Sequence, residues 1–487
     1  MGPAAAYTSP VALDPDTCWR ALAARDARFD GVFFVGVQTT GIYCRPVCSA
    51  RTPGRDRCAF YARAVEAERD GFRACFKCRP ELAPGNAPVD SLSRLVAAAV
   101  SRIEGGFLEE RSVADLATDL RVTARHLRRA LVSELGVSPV ELALSRRMAL
   151  AKQLVEDTTL PMAEVAHASG FGSVRRFNAT FRERFGRAPS ELRRGGRSSR
   201  GGSLALRLDY RPPLDWNAML AFVAAHAVPG VEIVRADAYV RTVRLGARVG
   251  WLSVSPSPGR DALRAEVSLS LAPELLAIAA RLRALFDLDA HPAAIADHLA
   301  RDPGLAALVA RSPGVRVAGA FDGFEIATRA VLGQQVSVRA ATTLSRRLVE
   351  RLGEPVETPF PELVRSFPTP ETVAGAGEET IAALGMPRSR ARTLIAVARA
   401  VANGEVRLAP GTDVDDAVAR LVALPGVGGW TSQYVAMRAL AWPDAFPPGD
   451  AGLRRALGLS RPREIATRAE RWRPWRSYAA MHLWASL

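Results

Sequence analysis

All six cysteines of the chain (Cys18, Cys44, Cys48, Cys58, Cys75 and Cys78) fall within its first 78 residues, and four of them form two close pairs. Cys44-x3-Cys48 and Cys75-x2-Cys78 are separated by 26 residues. Two such knuckles brought together supply the four thiolates of a tetrahedral zinc site, and a segment this small needs a staple to hold a fold. The N-terminal run MGPAAAYTSP lacks the charged-then-apolar order of a secretory signal, which favours metal over disulfides. Zn2+ on Cys44, Cys48, Cys75 and Cys78 is the expectation; Cys18 and Cys58 read as buried or incidental thiols. The competing reading is four unrelated buried cysteines.

At 487 residues the chain is too long for one core, and three or four domains are expected. No apolar run is long enough to span a bilayer, so a cytoplasmic protein is expected. The net charge is +15, from 65 Lys+Arg against 50 Asp+Glu, with an excess of positive charge on every segment. Such a balance suits a polyanion as partner. Arginine supplies nearly all of it: Lys77 and Lys152 are the only lysines, which almost excludes lysine-dependent chemistry.

The words around the cysteines are more specific than their spacing. Thr39-Thr40-Gly41-Ile42-Tyr43-Cys44-Arg45-Pro46-Val47-Cys48, Phe60-Tyr61 and Gly71-Phe72-Arg73-Ala74-Cys75-Phe76-Lys77-Cys78 closely resemble the N-terminal zinc domain of the Ada methylation-response proteins. The resemblance implies that Cys44 also accepts a methyl group from a methylphosphotriester in DNA, with Arg45 beside it as a DNA-binding residue. Methylating one of four thiolates takes the local charge from about −2 to about −1, the expected cause of a rise in DNA affinity.

Residues 89–192 contain one supersecondary pattern twice. Ser112-Val113-Ala114-Asp115-Leu116-Ala117 leads to Val122-Thr123-Ala124-Arg125-His126-Leu127-Arg128-Arg129; about fifty residues later Pro161-Met162-Ala163-Glu164-Val165-Ala166 leads to Gly170-Phe171-Gly172-Ser173-Val174-Arg175-Arg176-Phe177-Asn178. A small-residue helix turning into an arginine-rich helix is the signature of helix-turn-helix, with an all-helical protein-interaction module as the alternative. The ending Phe177-Asn178-x2-Phe181-x3-Phe185-Gly186-x2-Pro189-Ser190 resembles the AraC-type transcription factors. That likeness implies two helices entering successive major-groove faces, with Thr123, Arg125, His126, Arg129, Ser173, Arg175, Arg176 and Asn178 in reach of bases. His167 reads as a packed residue. Arg, Gly and Ser at 193–202 bury no core and read as a flexible cationic linker.

Leu424-Pro425-Gly426-Val427-Gly428-Gly429 sets three glycines and a proline between segments of helical periodicity, a tight corner whose bare backbone N–H groups suit a phosphate. About twenty residues on, Pro447-Pro448-Gly449-Asp450 places one carboxylate at the mouth of a helix from Leu453 to Leu457. The plain alternative is a Gly-Pro turn and a helix-capping aspartate. With Trp430 and Tyr434, this constellation resembles the helix-hairpin-helix DNA glycosylases of the AlkA (3-methyladenine DNA glycosylase II) branch. The closing Trp472-Arg473-Pro474-Trp475-Arg476-Ser477-Tyr478-x3-His482-x-Trp484 resembles that branch's last helix.

The AlkA likeness implies Asp450 at the glycosidic bond and Trp430, Tyr434 and Trp484 around an alkylated base. It further implies Gln334 and Gln335 beside the space that a flipped base vacates, and Gly426, Gly428 and Gly429 on a DNA phosphate. The family's best-known member carries leucine where Gln335 stands. Bifunctional relatives use a lysine in the hairpin; none lies beyond Lys152, so strand cleavage is not expected. No cysteine lies beyond Cys78, so the iron–sulfur cluster of the endonuclease-III relatives is not expected either.

The expected architecture is multidomain and mainly α with α+β parts. It comprises a four-cysteine zinc domain at 1–85, an all-α double helix-turn-helix domain at 89–192 and a linker at 193–202. An AlkA N-terminal α+β subdomain follows at 203–312, with an all-α helix-hairpin-helix domain at 313–487. The α+β part opens with Leu204–Tyr210, then Asp215-Trp216 and a helix through Phe222, and strand-like pieces follow at Ala238–Leu245, Gly250–Val254 and Ala265–Leu271. The implied function is a methylphosphotriester-sensing regulator fused to a monofunctional glycosylase for alkylated bases. Its expected partners are double-stranded DNA and RNA polymerase, and it is expected to be a monomer with no membrane contact. The Pro-Cys-His-Arg nucleophile of an O6-methylguanine methyltransferase is missing. The rival reading is a regulator whose glycosylase half only binds DNA.

Overall fold

The computed structural model describes residues 14–85, 93–193 and 202–487. Apart from its two end residues, the stretch expected as a linker at 193–202 lies outside the described residues, as does the N-terminal run MGPAAAYTSP. No helix among the described residues is long and apolar enough to cross a membrane.

The first unit is a four-stranded sheet of β1 (Phe34–Val37), β2 (Ile42–Cys44), β3 (Cys58–Tyr61) and β4 (Arg73–Ala74), in the order β3-β1-β2-β4. Gly41, at φ +63, turns β1 back onto β2, a backbone conformation that glycine adopts without strain. β2 and β4 pair in parallel with Tyr43 opposite Ala74. That register decides the metal centre, because Cys44 then ends one strand beside Cys75, which follows the other.

The second unit is all helical and shows its internal repeat in three dimensions. Helices Ala124–Leu135 and Val174–Phe185 are capped at their N-termini by Thr123 and Ser173 and closed by Gly136 and Gly186 in the left-handed region. Leu127, Leu131 and Leu135 in one copy, and Phe177, Phe181 and Phe185 in the other, form the i, i+4, i+8 stripe that each buries. The 19-residue helix Pro139–Asp157 joins the copies.

The third unit begins with an antiparallel sheet of β5 (Ser203–Asp209), β6 (Glu232–Arg235), β7 (Ala238–Leu245), β8 (Arg248–Pro256) and β9 (Ala262–Ser268), ordered β5-β9-β8-β7-β6. Two details differ from the sequence reading. β6 had no expectation, being only four residues long. The last strand stops at Ser268, because a 3-10 segment Leu269–Glu274 takes over and its Pro273 has no N–H for a ladder. Helices occupy the rest; those that build the site are Trp216–His226, Gly323–Leu332, Val338–Leu352, Val414–Val422, Gly429–Arg438, Ala451–Leu457 and Arg476–Trp484.

The units pack on one another through buried charge. Lys152, fully buried in the long helix, donates to Glu81 of the cysteine unit at 2.9 Å and sits 5.0 Å over the Phe76 ring. Arg79 of the same unit pairs with Glu156 and Asp157. Gln153 donates to the β5 carbonyl of Arg207 at 3.1 Å, and Ser101 donates to the Pro410 carbonyl at 2.8 Å.

Candidate functional site

The glycine corner joins Val414–Val422 to Gly429–Arg438. Gly426 sits at φ +76, and a Cβ there would lie 2.1 Å from Thr393 Oγ1, so both conformation and contact require glycine. Gly428 and Gly429 face open space, and the second helix begins at Gly428 with no side chain capping it. Its first N–H groups are therefore presented bare, with the positive end of the helix behind them.

One residue further, Trp430 reaches Asp450. Its indole N–H donates to Asp450 Oδ2 at 3.0 Å, while the Trp484 indole N–H donates to Asp450 Oδ1 at 2.9 Å. Asp450 Oδ1 also accepts from the Leu453 N–H at 2.9 Å, capping the helix Ala451–Leu457. Asp450 thus caps the helix while both its oxygens face the two indole N–H groups. Gly452 makes room for the arrangement, since a Cβ there would come within 3.0 Å of both Asp450 Oδ1 and Trp484 Cδ1.

The half-buried aromatics form a cleft around this carboxylate. Trp430 stacks on Tyr434 with ring centroids 5.3 Å apart and planes 14° apart. Trp484 lies 6.3 Å from Tyr434 and nearly parallel to Phe222, at 6.4 Å and 23°. Behind them the Arg438 side chain, 4% exposed, lies 5.0 Å from the Phe222 ring and 5.5 Å from that of Tyr434. His226 stacks on Phe222 at 4.4 Å and donates from Nδ1 to the Phe222 carbonyl; burial, with Arg438 nearby, pushes its imidazole down to about 4. Phe222, His226, Arg438 and Gly452 are parts of the site that the sequence reading missed. The spacing rules hold no signal for Phe222, which reaches the cleft from the α+β part of the chain.

The two glutamines divide. Gln334 Nε2 donates to the Gly426 carbonyl at 2.9 Å and to Thr431 Oγ1 at 3.0 Å, tying the loop before helix Val338–Leu352 to the glycine corner. Gln335 is exposed at φ +56, with Val336 and Val338 exposed beside it. A non-glycine residue held there is strained, and the loop presents its side chain outward.

At the other end, the sulfurs of Cys44, Cys48, Cys75 and Cys78 all lie within 4.8 Å of one another. Thiolates at about 2.3 Å from a tetrahedral zinc stand about 3.8 Å apart, so the set fits that ion. The Arg45 N–H donates to Cys78 Sγ and the Lys77 N–H to Cys75 Sγ, both at 3.4 Å. Cys44 is 9% exposed, whereas Cys78 lines a cleft of about 640 Å³ shared with residues of the other two units.

Arg45 corrects the sequence reading. Expected at DNA, it is 6% exposed and turned inward, paired with Asp30 and, at 2.7 Å, with Asp209 of β5. Those acids are distant in sequence and satisfy its guanidinium, which is why adjacency to Cys44 misled. In the helical unit Thr123, Arg125, His126, Arg129, Ser173, Arg175 and Arg176 are all exposed at or near the start of the two repeated helices, and Asn178 is half-buried. Thr123 and Ser173 also cap those helices through their own hydroxyls.

Residues 17–81 match the metal binding domain of Ada, 116–195 a helix-turn-helix domain, 205–322 the AlkA N-terminal domain, and 328–477 the HhH-GPD superfamily base excision DNA repair proteins. The probable bifunctional transcriptional activator/DNA repair enzyme AlkA of Mycobacterium tuberculosis is 42% identical over 484 residues, covering 97% of each chain. DNA-3-methyladenine glycosylase 2 of Escherichia coli is 38% identical over 277 residues, 57% of this chain and 95% of that one. The solved 3-methyladenine DNA-glycosylase from Archaeoglobus fulgidus superposes with a TM-score of 0.51 at 23% identity, over 57% of this chain and 97% of its own, and so shares the fold. The chain belongs to the family of fused proteins in which an Ada-type metal-binding domain and a helix-turn-helix domain precede an AlkA-type base excision DNA repair domain.

Proposed function

We propose that this chain is a two-part response to DNA alkylation: a methylphosphotriester-sensing transcriptional regulator joined to a monofunctional glycosylase that hydrolyses the N-glycosidic bond of alkylated bases such as 3-methyladenine. The observation that carries it is the Asp450 carboxylate, held by two indole N–H groups at 2.9 and 3.0 Å and joined through Trp430 to the bare helix N-terminus of the glycine corner. Gly426, Gly428 and Gly429 would grip a backbone phosphate while the flipped nucleotide enters the cleft beside Asp450.

The ring faces of Trp430, Tyr434, Trp484 and Phe222 suit an alkylated purine, whose positive charge is drawn to an indole face. Such a base already leaves readily. As the C–N bond breaks, its electron pair departs with the base and positive charge develops on the sugar, where the Asp450 carboxylate stabilises it and orients water. A carboxylate offers about four lone-pair positions, and three are occupied here, so one remains for that task. The sequence has no lysine beyond Lys152, which is buried against Glu81, so no amine stands by to form a Schiff base and the strand stays intact. Gln334 would act through the corner it braces, and the exposed Gln335 side chain would enter the gap left by the base.

In the front part, Cys44, Cys48, Cys75 and Cys78 would hold zinc, which keeps thiols deprotonated at neutral pH. The Cys44 sulfur attacks the methyl carbon of a phosphotriester; the S–C bond forms, the C–O bond breaks and the phosphodiester departs with the electron pair. Arg125, Arg129, Arg175 and Arg176, with Thr123 and Ser173, would meet promoter DNA, and the regulator would act as a monomer through RNA polymerase.

The test is incubation of the full chain with methylated duplex DNA. Free alkylated base and an unbroken abasic strand are expected. No base released would leave a regulator whose rear half only binds DNA.

A further inference from the structure

Arg438 is almost wholly buried directly behind the aromatic cleft, and among the described residues no carboxylate lies within ion-pair distance of it. Its guanidinium donates instead to the carbonyls of Ala318, at 2.5 Å, and Gly319, at 3.1 Å, and from Nη1 to the Tyr434 hydroxyl at 2.7 Å. Arginine has no acceptor, so in this last contact the phenol oxygen must accept. The hydroxyl hydrogen is therefore directed elsewhere, and no acceptor takes it among the described residues. The same guanidinium lies 5.0 Å from the centroid of the Phe222 ring, so the Tyr434 hydroxyl that it holds stands among the aromatics of the site.

We propose that Arg438 is a positioning residue that fixes the Tyr434 hydroxyl as a hydrogen-bond donor into the cleft, so that the cleft selects bases offering a lone pair at that point. The inference rests on the excision reading above and adds a second basis of selection to stacking. The two act on different bases. A cationic alkylated purine is held by the indole faces and is a poor acceptor, because its ring bears positive charge. A neutral base gains nothing from cation–π attraction and depends on the hydroxyl, since a buried donor left unpaired is costly.

Single-turnover release from duplex DNA by the full chain separates the two, with hypoxanthine as the neutral base carrying a carbonyl and 3-methyladenine as the cationic one. Tyr434→Phe is expected to lower hypoxanthine release about tenfold more than 3-methyladenine release. Arg438→Met is expected to shift the same ratio in the same direction. The double variant should lose no further hypoxanthine release, because both changes break one device. Arg438→Lys keeps a donor and should restore most of the ratio. Equal loss on both bases in Tyr434→Phe, or losses that simply add in the double variant, would overturn the proposal. Release of 3-methyladenine without any hypoxanthine by the unaltered protein would overturn it too, while leaving excision intact. Release of neither base would remove the excision reading and this inference with it.

Discussion

Asp450 caps a helix and, in the proposed reaction, also carries the chemistry, and the two duties separate on substitution. Asparagine keeps an oxygen for the Leu453 N–H, so the cap survives, but its amide presents hydrogens to an indole donor and carries no charge. His482 supplies a different test at the same scale. It is 4% exposed on the helix that carries Trp484, and burial pushes its imidazole down to about 4. An unfolded histidine titrates near 6.5, so between these values the unfolded chain binds the proton and the folded one does not. This contribution is complete above about pH 6.5 and is lost as pH falls towards about 4, by up to about 1.4 kcal/mol per pH unit. The drop in Tm between pH 7 and pH 5 should therefore be smaller for His482→Gln than for the unaltered protein. An equal or larger drop in the variant would assign the acid sensitivity to other groups.

Among the elements, the hairpin corner was the most legible in sequence and makes the sharpest contrast. Its three glycines are not equivalent. Gly426→Ala forces a side chain into the left-handed region and against Thr393, at a cost of about 2 kcal/mol or more, whereas Gly429→Ala meets open space. Thermal melts should show a clear loss of Tm for the first and little change for the second; equal Tm values would mean the corner is not held as described. Local spacing made this corner readable, as it did the two cysteine knuckles and the capped, arginine-rich helices at Thr123 and Ser173. What remained hidden depends on residues far apart in the chain. Phe222 and Arg438 lie on two helices far apart in the chain and meet only in the fold. Arg45 turns inward because Asp30 and Asp209 converge on it, which no local pattern announces.

For the whole molecule, the +15 charge is divided between a duplex-reading front part and an excising rear part. An arginine that reads a base edge sets specificity more than the salt slope, so Arg125→Ala or Arg175→Ala should weaken promoter DNA by about 1–3 kcal/mol more than random-sequence DNA. Titrations of promoter and random-sequence duplex at one salt concentration read this directly; equal weakening on both would take those side chains off the bases.

The excision account itself rests on the carboxylate at Asp450. Single-turnover release of 3-methyladenine from duplex DNA, compared between the unaltered chain and Asp450→Asn at saturating protein, isolates that group from DNA binding. The rate is expected to fall at least about a hundredfold in the variant while the melting temperature stays within a few degrees. Release at the same rate by both proteins would contradict the assignment.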